Sequence, residues 1–158
     1  MAQIIAATRP GMRMYVQPCA LLACLLVAPA AFADSARAIM DAAGTKATFT
    51  GLARVTCFDD GSGPAAMLVA RVRDNSPPLH GLMVSLVLLK GTTALSISDT
   101  VSGDAGYSDT IVLPGGNGEY TLVLNKTDIG VRSFDIEWHC MTAGSVHTGT
   151  DISVLQFK

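Results

Sequence analysis

Charge, aromatic rings and histidine are all scarce in this chain. Only 15% of its 158 residues are charged, and no cluster of Lys and Arg occurs. Phosphate binding needs concentrated positive charge, so nucleic acid and anionic membrane surfaces are not expected partners. No G-x-S-x-G elbow is present. The glycines of "PGGNG" at 114–118 are followed by no helix or Lys, which excludes a phosphate loop. Asp99, Asp104 and Asp109 miss the EF-hand spacing and read as turn formers. Beyond Lys46 no segment has a helical hydrophobic period. An enzyme is therefore not expected.

Acidic residues are missing altogether from the first 33 positions. Arg9 and Arg13 precede an apolar run, "CALLACLLVA", which ends in small residues. This is the layout of a secretory signal peptide, and Ala31-Phe32-Ala33 gives an A-x-A cleavage pattern. Residues 1–33 are expected to be cleaved, leaving a mature chain that starts at Asp34 and is periplasmic or secreted. A retained anchor would need about 20 apolar residues. This run is shorter and is flanked by Pro18 and Pro29. A lipoprotein reading through Cys24 would leave almost no apolar core ahead of that cysteine. The chain after Ala33 holds all 13 acidic residues and nine of the 11 basic ones, and no membrane span is expected in it.

Four cysteines are present, and two of them, Cys19 and Cys24, fall in the leader. Cys57 and Cys140 remain. Two cysteines in an exported chain are expected to pair. Closing so long a loop stabilises a fold by about 4 kcal/mol.

Residues 34–46, "DSARAIMDAAGTK", are Ala-rich and read as a linker or a short helix capped by Asp34 or Ser35. Strand-length apolar runs follow near 47–58, 66–74, 81–90, 93–101, 107–113, 119–126, 133–141 and 146–157. Gly, Pro, Asn and Asp separate them. The expected fold over 47–158 is all-β: an antiparallel sandwich of seven to nine strands with one inter-sheet disulfide. Alternation along 133–140 sends Phe134, Ile136, Trp138 and Cys140 inward and Ser133, Asp135, Glu137 and His139 outward. The run "GLMVSLVLLK" is apolar at both parities and reads as a strand covered on both faces. If successive strands alternate in direction, Cys57 and Cys140 reach the same pole. The strand count and the two cysteines resemble immunoglobulin-like and fibronectin-type-III-like sandwich domains of bacterial exported proteins. Trp138 stands two residues before Cys140, where antibody-type domains carry Tyr. The resemblance thus carries over the architecture alone.

The candidate chemistry lies in "SFDIEWHCMTAGSVHTGT", residues 133–150. If 133–157 forms a hairpin, a three-residue loop centred on Gly144 pairs 141 with 147 and 139 with 149. His139, Met141 and His147 then share the outward face. A two-residue loop at Gly144-Ser145 sends His147 to the other face instead. Asp59, at the same pole, is a candidate oxygen ligand. His with Met suits copper and His with carboxylate suits zinc, so copper or zinc is the candidate cofactor. His80 falls at the opposite pole and cannot join. The neighbours His139 and Cys140 point to opposite faces and so make no catalytic pair. Two readings follow. One is a non-enzymatic binding or structural module for a protein or envelope component, acting through its loops or an edge strand. The other is a periplasmic metal-binding protein that uses His139 and His147.

Overall fold

The structure is a computed structural model that describes residues 34–158. The expected leader lies outside the described residues. Nine strands run β1 (Asp34–Met40), β2 (Thr50–Phe58), β3 (Ala65–Asp74), β4 (Val84–Lys90), β5 (Thr93–Asp99), β6 (Ile111–Pro114), β7 (Gly118–Lys126), β8 (Arg132–Thr142) and β9 (Gly149–Phe157). They form two antiparallel sheets, one ordered β1-β8-β3-β6 and the other β5-β4-β7-β2-β9. No helix occurs among the described residues, and none there is long and apolar enough to cross a membrane.

The period-two pattern explains the core. Val55, Leu68, Val72, Leu86, Leu88 and Cys140 are fully or almost fully buried between the sheets, and Phe134, Ile136 and Trp138 pack with them. Cys57 on β2 and Cys140 on β8 are disulfide-bonded with Cα atoms 5.5 Å apart, so the bond joins the two sheets. β2 and β8 end at the same pole. So do the loops 59–64, 115–117 and 143–148, and this end is called the near pole below.

Three sequence expectations need correction. Residues 34–40 are neither linker nor helix. They form β1, which pairs along its whole length with β8, from Asp34 opposite Trp138 to Met40 opposite Arg132. An Ala-rich stretch has a helical propensity, but the open edge of β8 offers it a ladder of backbone hydrogen bonds. Arg37 fastens it by two bonds to Asp135 of β8. Second, β4 is covered on one face only. Val84, Leu86 and Leu88 are buried, whereas Ser85, Val87 and Leu89 are half-buried on the outer face. Its double apolar parity reflects flanking by β5 and β7 rather than a third layer.

Third, residues 133–157 do not form a hairpin ladder. β8 lies in one sheet and β9 in the other. The chain turns at 142–145, where Ser145 N–H donates to Thr142 C=O at 3.0 Å. A single bridge follows, Met141 opposite His147, which is the pairing of the three-residue loop. The chain then crosses, so that Gly149 pairs with Phe58 of β2 and not with His139. A Cβ at Gly149 would fall 2.4 Å from the Phe58 ring, so glycine lets the crossing backbone lie against that ring.

Candidate metal centre

Two neighbouring β8 residues serve different parts of the fold. Cys140 faces inward to its disulfide, and His139 projects from the outer surface of the four-stranded sheet. His147 arrives on the crossing segment. Its ring centroid lies 5.3 Å from that of His139, with the planes at 74°. Asp34, the first residue of β1, places its Oδ2 3.3 Å from His147 Nε2. One imidazole nitrogen of each histidine and one Asp34 carboxylate oxygen all lie within 4.8 Å of one another. Two tetrahedral ligands at 2.0–2.1 Å from Zn²⁺ sit about 3.3 Å apart. Asp34 and His147 already have that spacing at 3.3 Å, and the 4.8 Å span of the whole set exceeds it by about 1.5 Å.

The electrostatics suit a ligand set. Burial lowers the pKa of His139, and neighbouring His147 lowers it further, against the opposing pull of Asp34 and Glu137. A neutral imidazole is the form that binds metal. His139 Nδ1 is buried and has no hydrogen-bond partner among the described residues. Buried polar atoms are rarely left so, and an unsatisfied one calls for a reason. Access comes from outside the sheet, where His139 helps line a depression of about 220 Å³ beside Val69, Arg71, Thr110 and Glu137.

Of the residues singled out in the sequence, His139 and His147 meet, and the register sets Met141 opposite His147. Asp59 is not among the clustered ligands. Its Oδ1 accepts the backbone N–H groups of Gly61 and Gly63 at 2.8 and 3.0 Å, so it shapes its own loop. A short acidic side chain that can close a local turn does so before reaching across a pole. The carboxylate in the cluster comes from Asp34 instead. His80 lies in the loop between β3 and β4, at the far pole. Asp135 and Glu137 are held by arginines. Asp135 bonds Arg37 and Arg73, and Glu137 bonds Arg71 at 2.8 Å. Both carboxyls are lowered on balance: Arg37 leads for Asp135, whereas for Glu137 the Arg71 and Tyr107 bonds outweigh burial. Neither is poised as a general acid at neutral pH.

No family model, curated protein or solved structure matches the chain.

Two contributors to the site have no sequence signature. Asp34 reads as a capping residue until β1 is seen to pair with β8. Thr148 reads as strand filler in "HTGT", yet it is fully buried. Its hydroxyl lies 2.7 Å from Gly63 C=O and 3.1 Å from Phe58 C=O. It thereby ties the crossing segment, and His147 with it, to the loop after β2.

Proposed function

We propose that this chain is an exported, immunoglobulin-like β-sandwich module that binds a divalent transition metal, Zn²⁺ or Cu²⁺. Asp34, His139 and His147 are the ligands, and the module works in the periplasm or outside the cell after loss of residues 1–33. The observation that carries this reading is the Asp34–His139–His147 cluster on three separate chain segments, together with the unpartnered buried Nδ1 of His139. Two imidazoles and a carboxylate are a recognised donor set for Zn²⁺ and an acceptable one for Cu²⁺. The rigid frame around the set is supplied by the adjacent disulfide and by Thr148.

Calorimetry on the chain 34–158 with each metal tests the proposal. The wild type is expected to bind one equivalent, and a His139→Ala/His147→Ala double variant none. No heat from the wild type, or equal heat from both proteins, would sink the idea.

A second reading, as a binding module for a protein or envelope component, is favoured by a different feature. β1 and β9 are edge strands of opposite sheets on the same flank. Between them opens a slot of about 270 Å³ lined by apolar atoms of Ala36, Ala38, Ile136, Trp138, Ile152 and Val154, among others. Val154 and Leu155 of β9 are exposed beside it. Edge strands of this kind accept added strands, and apolar slots accept apolar side chains.

A further inference from the structure

Residues 1–33 are expected to leave by cleavage after Ala33, and the candidate metal centre contains the very next residue. We infer that removal of the leader completes the metal centre, with the α-amino nitrogen freed on Asp34 becoming its fourth ligand. This inference rests on the metal-binding reading above and on the cut falling between Ala33 and Asp34.

The chemistry of that nitrogen changes at the cut. In the precursor it is a peptide nitrogen, whose lone pair is delocalised into the carbonyl and does not bind metal well. A leader-removing peptidase adds water across the Ala33–Asp34 bond. Ala33 leaves as a carboxylate and Asp34 keeps the nitrogen as a primary amine. On metal binding the ammonium form gives up a proton and the lone pair goes to the ion, as for the other protonatable ligands.

The β1–β8 register places Asp34 beside the site. Asp34 pairs with Trp138 in the β1–β8 ladder, and His139 is the next residue on β8. The Asp34 carboxylate already reaches His147. An amine and a β-carboxylate from one aspartate close a six-membered chelate ring around a metal, so the same ion that meets the carboxylate is within reach of the amine. A cut one residue earlier leaves an amide at this point, and a cut one residue later removes Asp34 from the centre altogether.

The completed set is three nitrogens and one oxygen. Such N,O sets with tetragonal geometry suit Cu²⁺, which also heads the affinity order of the divalent first-row ions. Cleavage would therefore both strengthen the site and turn it toward copper. The precursor, still carrying its leader, would hold metal weakly.

The test compares two folded forms that share Asp34, His139 and His147. One is the chain 34–158 as processed in the export compartment, its start checked by intact mass. The other carries four extra residues ahead of Asp34, with an Nα-acetylated 34–158 chain as a second form of the same block. Cu²⁺ affinity is measured by chelator competition, and coordinated nitrogens are counted by electron paramagnetic resonance. The blocked forms are expected to bind at least about 10-fold more weakly, since even groups outside the ligand sphere affect metal affinity by about 10–100-fold. They should also lose one of three coordinated nitrogens. Equal affinity with an equal nitrogen count overturns the amine ligand and leaves the metal-binding reading standing. Absence of binding by all forms overturns both. A processed chain that starts anywhere but Asp34 overturns the inference as well.

Discussion

At the far pole of the sandwich, Lys126, Asp41, Asp74, Arg132 and Asp99 are all buried, and the charges are answered by neighbours. Lys126 Nζ lies 2.8 Å from Asp41 Oδ2 and also donates to the carbonyls of Asp128 and Gly130. Arg132 lies 3.4 Å from Asp74 and donates to Pro77 C=O. Asp99 accepts the backbone N–H groups of Asp74 and Val101. At the near pole, by contrast, two histidines stand side by side with one carboxylate, half exposed, and one buried nitrogen has no partner among the described residues. The far pole spends its polar groups on holding loops. Both poles hold buried nitrogens without a partner among the described residues, Arg132 Nε and Asn75 Nδ2 at the far pole and His139 Nδ1 at the near pole, but of these the His139 atom alone belongs to a cluster of two imidazoles and a carboxylate.

This contrast can be broken most sharply at Arg132. Its replacement by Ala strands the buried Asp74 carboxylate and is expected to cost about 3–5 kcal/mol. Chemical denaturation measures that loss, and metal binding by the folded fraction should be unchanged. A folded Arg132→Ala protein with altered metal affinity would mean that the two poles are coupled.

Acid probes the same knot more gently. Burial raises the Asp41 pKa, but Lys126 and the backbone N–H groups of Lys46 and Thr45 outweigh it and hold the carboxyl at about 2. The depressed value means that the ionised form stabilises the fold. That contribution is present above the ordinary carboxylate pKa of about 4 and is lost as pH falls from about 4 to about 2. Denaturation midpoints measured at pH 5, 4, 3 and 2 should fall across this window. In Lys126→Met the unpaired Asp41 should move the fall to higher pH. An unchanged profile would show that the pair does not govern acid stability.

The smallest effect is expected at the near pole. Ser145 holds φ at +60°, a left-handed conformation that costs a side chain about 1–2 kcal/mol. Glycine removes that strain but loses about 0.5–1 kcal/mol of conformational entropy. Ser145→Gly should thus raise stability by about 0.5 kcal/mol in denaturant titrations while leaving the Met141–His147 pairing and metal affinity intact. Loss of affinity would show that the turn residue itself sets the imidazole spacing.

Much of the architecture was legible in the sequence because strand alternation is a local signal. Phe134, Ile136, Trp138 and Cys140 are inward, as their parity requires, and the two cysteines meet at one pole. The turn near Gly144 was legible only as two alternative registers, of which the Met141–His147 bridge is the three-residue one. Three things were not. β1 is made by pairing with β8, which sequence propensity does not encode. The crossing at Thr148 and Gly149 depends on the packing of Phe58 and Gly63, residues about 90 positions away in the chain. The Asp34 carboxylate enters the candidate site only through β1, so missing the strand meant missing the ligand. Asp59, chosen for its nearness to the pole, was taken up by its own turn.

The disulfide acquires a mechanical meaning from its neighbours. Cys140 sits between His139 and Met141 on one layer, and Cys57 pairs with Thr150 on the other, just past the crossing that carries His147. His147 is bridged to Met141 of β8, but the segment that carries it continues across to β9, so a slide of the layers would pull on that segment while His139 stayed with β8. The covalent rivet lies one residue from His139, so load between the layers passes through sulfur before it reaches the rings. Beyond holding the folded chain together, the bond limits how far a slide between the layers can disturb the segment that carries His147.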